Sequence, residues 1–103
     1  MKFTFLEMAI LSKCELHEGS EILFSLMDGI KEKLKISESE YPYLKYNNSE
    51  LVEIPNQYSS QEIEIKFTES EIKLIERILN NLDSKEILPI QLRNAYKKIK
   101  LNN

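Results

Sequence analysis

KFTESE, residues Lys66–Glu71, says almost the same thing as KFTFLE at Lys2–Glu7, and how one chain comes to carry both settles its architecture. Each copy holds T-x-x-E: Thr4 to Glu7 and Thr68 to Glu71. In such a box the Thr hydroxyl accepts the amide hydrogen three residues on, and the Glu carboxylate accepts the Thr amide hydrogen, so a helix begins there. Apolar residues at helical spacing follow both boxes. After the second come Ile72, Ile75, Leu79 and Leu82, with Leu74 and Ile78. After the first come Met8, Leu11 and Leu16, with Ile10 and Cys14 adjoining. A stripe of that period predicts helices over 5–16 and 69–82.

The echo continues once a single residue is inserted. EIL at Glu21–Leu23 returns at Glu86–Leu88, and KLKI at Lys33–Ile36 falls on KIKL at Lys98–Leu101. Between these marks Met27 aligns with Leu92, Ile30 with Ala95 and Leu34 with Ile99. Two more amphipathic helices are predicted, over 21–36 and 86–100. His17–Ser20 and Asn80–Asp83 supply the turns, with Gly19 able to take the positive φ of a helix end. Gly29 inside the second helix costs about 1 kcal/mol relative to Ala. Pro89 is tolerable only in the first turn of the fourth.

Ahead of each box the chain alternates. In QEIEIKFT, Gln61–Thr68, Ile63, Ile65 and Phe67 point one way while Glu62, Glu64 and Lys66 point the other; Lys2–Phe5 has the same rhythm. Isolated strands leave backbone groups unsatisfied, so these segments must pair. The stretch between the halves is different. Pro42 and Pro55 exclude a continuous helix, and Tyr43–Tyr46 with Leu51–Ile54 fit a hairpin around Asn47-Asn48-Ser49. The predicted architecture is a helix-rich α+β single domain over 1–103. A strand plus helix hairpin (1–36) and its repeat (66–103) form a β-α-α duplication with a small sheet, joined by a Tyr/Glu-rich connection (37–65). The alternative is a four-helix bundle in which that connection is a long crossover.

Apolar residues make up 42% of the chain and charged ones 30%, enough for a core and a solvated surface. The net charge of −3 disfavours nonspecific nucleic-acid or anionic-membrane binding by the whole molecule. No apolar run approaches the roughly 20 residues that span a bilayer, and no secretory leader is evident. A lone Cys14 excludes an internal disulfide and fits a reducing cytoplasm. Lys outnumbers Arg 12 to 2, a bias that points to AT-rich coding, as in a bacterium or phage.

Chemistry-bearing patterns are sparse. His17 is the single histidine and lies three residues from Cys14, a spacing that lets a Cys-His pair meet on a helix. Cys14 also adjoins the apolar stripe, where it reads as a small core residue, and His17 sits in a polar turn. No second Cys or His completes a zinc cluster, and two glycines do not build a phosphate-cradling loop. The expectation is a protein that is not an enzyme and needs no cofactor or metal.

Charge is segregated instead. From Ser37 to Glu71 eight Glu face Lys45 and Lys66, whereas from Lys85 onward Lys85, Arg93, Lys97, Lys98 and Lys100 face Glu86 alone. Four of five tyrosines, Tyr41, Tyr43, Tyr46 and Tyr58, fall in the acidic stretch. Tyrosine combines contact area with a polar tip and is enriched at interface hot spots. These residues, with Glu50 and Glu53, are the candidate contact set for a partner protein bearing a basic surface. The expected function is a small acidic inhibitor or regulator acting by protein–protein interaction. Two alternatives stand beside it. One is a nucleic-acid-associated regulator using Arg93, Lys97 and Lys100 of the last helix; the other is a subunit that pairs with itself, as a homodimer.

Overall fold

The computed structural model describes Met1–Leu101. In chain order it contains β1 (Lys2–Thr4), α1 (Phe5–Ser12), α2 (Glu21–Leu34), β2 (Lys45–Asn47), β3 (Glu50–Glu53), β4 (Glu62–Glu64), α3 (Glu69–Ser84) and α4 (Arg93–Leu101). Short 3₁₀ turns lie at Asn56–Tyr58 and Ile90–Leu92. The fold is α+β, with β1 paired to β4 and β2 to β3 in two separate antiparallel ribbons. The small sheet is thus two ribbons, and the bundle alternative is set aside.

Both capping boxes form, with matching geometry. Thr4 and Thr68 each donate an amide hydrogen to Oε1 of Glu7 and Glu71 at 2.8 Å, and each accepts from the Glu amide at 3.2 Å. The repeat also governs how the halves meet. Phe3 lies opposite Ile63, and the ribbon runs on to Met1 and Ile65, equivalent positions sixty-four residues apart. There the Ile65 amide donates to the Met1 carbonyl at 2.9 Å, and the Met1 amino group donates to the Ile65 carbonyl at 3.0 Å. The equivalent rings of Phe3 and Phe67 meet edge-on, 6.1 Å between centroids.

The second helices close the arrangement reciprocally. Lys33 of α2 donates to the Lys66 carbonyl at 3.0 Å, and Lys98 of α4 donates to the Lys2 carbonyl, also at 3.0 Å. Lys98 therefore holds β1 of the first half, and Lys33 holds the segment between β4 and α3. Below this contact the aligned apolar positions are all buried: Met27, Ile30 and Leu34 from α2, Leu92, Ala95 and Ile99 from the second half. They pack with Phe3, Phe5, Met8 and Leu11 and with Leu74, Ile75 and Leu79 in one core. At about 1.5–3 kcal/mol for each fully buried aliphatic or aromatic side chain, this core dominates the favourable side of folding.

Gly29 is explained by α3. A Cβ at that position would come 3.2 Å from Oε2 of Glu71, the buried box carboxylate, so α2 approaches α3 through its bare glycine. Lys33 then reaches Oε1 of the same carboxylate at 2.6 Å.

Several boundaries differ from the sequence expectation. Helix α1 stops at Ser12 rather than at residue 16. The Ser12 hydroxyl donates to the Ala9 carbonyl at 2.7 Å, and the Lys13 and Cys14 amides bond only three residues back, a tightened last turn. Helix α2 ends at Leu34, and Gly19 precedes its Ser20 cap instead of closing α1. Helix α3 runs through Asn80–Asp83, which is not a turn. It ends in a Schellman motif, in which the Ile87 amide donates to Leu82 at 3.0 Å and the Glu86 amide to Asp83 at 2.9 Å. Pro89 holds Leu88 extended, so the fourth helix starts at Arg93 after a 3₁₀ turn rather than at residue 86. The hairpin is centred as expected but shorter, with Asn48 and Ser49 at φ of 52° and 66° as a type I′ turn demands.

Glu86 occupies the left-handed position of the Schellman motif at φ 60°, where glycine carries no Cβ penalty. Glu86→Gly is expected to raise unfolding stability by about 0.5–1 kcal/mol, read as a higher urea midpoint at unchanged slope. Burial pushes the Glu71 carboxyl up, but bonds from Lys33 and Thr68 outweigh this and leave it below the usual value of 4.5. A carboxylate depressed in the folded state stabilises above its unfolded value and loses that contribution as pH falls through the folded one. Stability should therefore drop below about pH 4.5, and Glu71→Gln, which keeps the box but not the charge, should flatten the drop measured by urea unfolding between about pH 6 and 3.

Candidate functional site

The acidic connection is ordered by its aromatic residues. Pro42 sits in a turn whose Leu44 amide donates to the Tyr41 carbonyl at 3.3 Å, and this turn folds Tyr41 back over the body. The Tyr41 ring meets buried Phe5 edge-on at 5.0 Å, Tyr43 lies 6.4 Å from Tyr41, and Tyr58 stacks at a tilt 4.5 Å from Tyr43. Tyr46 is tied down by its hydroxyl, which donates to the Tyr41 and Ser37 carbonyls at 2.7 and 3.1 Å. Burial first, and Glu40 and Glu38 next, hold the Tyr41 and Tyr46 hydroxyls above the usual tyrosine value, which keeps the Tyr46 hydroxyl a protonated donor.

The candidate contact residues thus divide by role. Tyr41, Tyr46 and Tyr58 are half-buried anchors, whereas Tyr43 keeps 39% of its surface exposed. Glu50 and Glu53 are exposed on β3, with Glu53 in a solvent-facing pair with Lys45 at 3.0 Å. Between them Val52 is 62% exposed. Val52 was missed at the sequence level because the expected hairpin counted it toward the strand; alternation against half-buried Leu51 carries the signal.

The basic candidates are also brought together. Arg93, Lys97 and Lys100 line one shallow cleft of about 530 Å³ beside Pro89 and Ile90. Lys100 lies over the Tyr96 ring at 4.5 Å, and Tyr96 in turn donates its hydroxyl to the Asn80 side-chain oxygen. Lys98 faces away, toward Lys2 and Glu62.

A larger cleft of about 890 Å³ holds both Cys14 and His17. Its lining includes Lys13 with Arg77, Cys14 with Ile78 and His17 with Asn81, three pairs of equivalent positions from the segment after α1 and from α3. Sequence reasoning missed Lys13 and Arg77 as partners, although the internal repeat aligns them. The Cys14 thiol lies 3.7 Å from the Ile10 carbonyl as a weak donor, and burial pushes it above its usual value despite nearby Lys31. No hydrogen bond among the described residues joins it to His17. A thiol held protonated is a poor nucleophile. Among the described residues no group of three or more His, Cys, Asp or Glu is placed to hold a metal ion, and no helix is long and apolar enough to cross a membrane.

A scan against protein-family models, a search of curated proteins and a search of solved structures each returned no significant match.

Two measurements check this geometry. Tyr46→Phe removes the donor that pins the connection and should cost about 1 kcal/mol in urea unfolding. Cys14 should react with a disulfide reagent at neutral pH at least about ten-fold more slowly than free cysteine, as burial and a raised thiol value together require.

Proposed function

We propose that this chain is a small, non-catalytic protein-binding module of the cytoplasm, an inhibitor or regulator that engages a basic surface on its partner through the β2–β3 hairpin. The observation that carries this reading is the hairpin's presentation: Val52 stands out between exposed Glu50 and Glu53, on a ribbon whose root is fixed to the core by Tyr41, Tyr46 and Tyr58. An apolar side chain on β3 flanked by two carboxylates suits a partner with an apolar socket rimmed by cations. Fixing the root in advance lowers the ordering entropy lost on binding, and the carboxylates steer encounter.

The test is capture from the native host by immobilised protein, followed by binding kinetics with the purified partner. Val52→Asp should raise Kd at least about ten-fold through dissociation, and Glu50→Lys with Glu53→Lys should slow association by a similar factor that added salt reproduces. A partner held equally well by all three proteins would remove the hairpin from the interface and this reading with it.

A further inference from the structure

We propose a second docking surface of opposite polarity, formed by the Lys85–Ile90 strap and the two clefts beside it, that takes an acidic amphipathic helix of a partner protein. This proposal goes beyond the hairpin reading and does not rest on it.

Pro89 lines both clefts, so the strap is the wall between them. The strap exists because the Schellman motif closes α3 and Pro89 delays α4; it crosses the surface from left-handed Glu86 through irregular chain at Ile87–Pro89 to the 3₁₀ turn at Ile90, with both isoleucines exposed. Ile87 is 59% exposed and Ile90 79%, two of the larger exposed apolar groups among the described residues, three positions apart on that wall. A single exposed isoleucine is ordinary, but a pair standing between two concavities with apolar floors is an unfilled contact area. The larger floor is Ile10, Cys14, Leu16, Ile78 and Leu82.

The rim supplies the charge. Lys13, Arg77 and Lys85 border the larger cleft, and Arg93, Lys97 and Lys100 the smaller. They outnumber the four carboxylates that share the lining, Glu15, Glu18, Asp83 and Glu86, in a molecule whose net charge is −3. Among the described residues Lys13, Arg77, Lys85, Arg93 and Lys97 hold no carboxylate within 4.0 Å, as is also true of Lys2, Lys31, Lys35 and Lys66 elsewhere. A helix with apolar residues at i, i+3, i+4 and i+7 can straddle the wall and fill both floors, while its acidic flanks meet the rim. A bilayer fits less well. The surface is concave, and the overall negative charge opposes approach to anionic lipid.

The experiment is fluorescence anisotropy with a labelled peptide of about 16 residues, Leu at those spacings and Glu elsewhere, beside a counterpart carrying Lys in place of Glu. Vesicles of phosphatidylcholine with phosphatidylglycerol and a light-scattering series form the other arms. The Glu peptide should bind and the Lys peptide bind at least about ten-fold more weakly, with the Glu peptide's affinity falling as salt rises. Ile90→Asp, and separately Arg77→Glu with Lys97→Glu, should each weaken binding about ten-fold while circular dichroism stays unchanged, since all three side chains are exposed. Val52→Asp should leave this affinity unaltered, which keeps failure here distinct from failure of the hairpin reading. No binding of the Glu peptide, equal binding of both peptides, or indifference to the variants would overturn the proposal. So would vesicle binding lost in the same variants, or self-association that the variants abolish.

Discussion

Two lysines clasp the halves of this protein to each other. Lys33 and Lys98 occupy matching places on α2 and α4, and each donates to the carbonyl of a lysine just before the other half's capping box, Lys66 or Lys2. Charge-assisted bonds of this kind are worth about 1.5–3 kcal/mol when sheltered and less at the partial exposure seen here, so they direct more than they stabilise. They bridge the halves at the surface, above the shared core. Helix α2 then covers α3 through Gly29, the turn before α4 covers α1, and the aligned apolar residues meet in one core. The partners differ in one respect: Lys33 also takes the buried Glu71, whereas Lys98 takes the exposed Glu62 of β4.

The repeat is the part of this fold that could be read from letters. Capping boxes are local devices, and Thr4/Glu7 and Thr68/Glu71 act over three residues whatever surrounds them. The alignment of Met27, Ile30 and Leu34 with Leu92, Ala95 and Ile99 was legible for a similar reason, because burial imposes a period on sequence. What was hidden depends on competition between neighbours. Helix α1 has the composition to continue past Ser12, yet Cys14 and Leu16 pack against the core from an irregular segment. Glu86 in a left-handed conformation has no sequence signature, since glycine is the residue that position favours.

The candidate surfaces were half legible. Charge segregation between the connection and the last quarter of the chain is a property of composition, and the structure keeps Arg93, Lys97 and Lys100 in one cleft. The division of labour among the tyrosines was not legible. Whether a ring anchors or projects depends on Phe5 and on carbonyls at Ser37 and Tyr41, which no spacing rule connects. The basic rim was less legible, because Lys13 and Arg77 come from opposite halves and line one cleft only once the chain is folded. The helices hold the shared core, while the acidic connection and the strap before α4 lie at the surface.

If the halves are clasped as described, neither can open alone. Native-state hydrogen exchange tests this directly. The account predicts that the most protected amides of α1 and α2 and those of α3 and α4 exchange with the same free energy, equal to that of global unfolding. Protection in one half lower by more than about 2 kcal/mol would mean that it opens independently, and would contradict the reciprocal contact on which this structure is built.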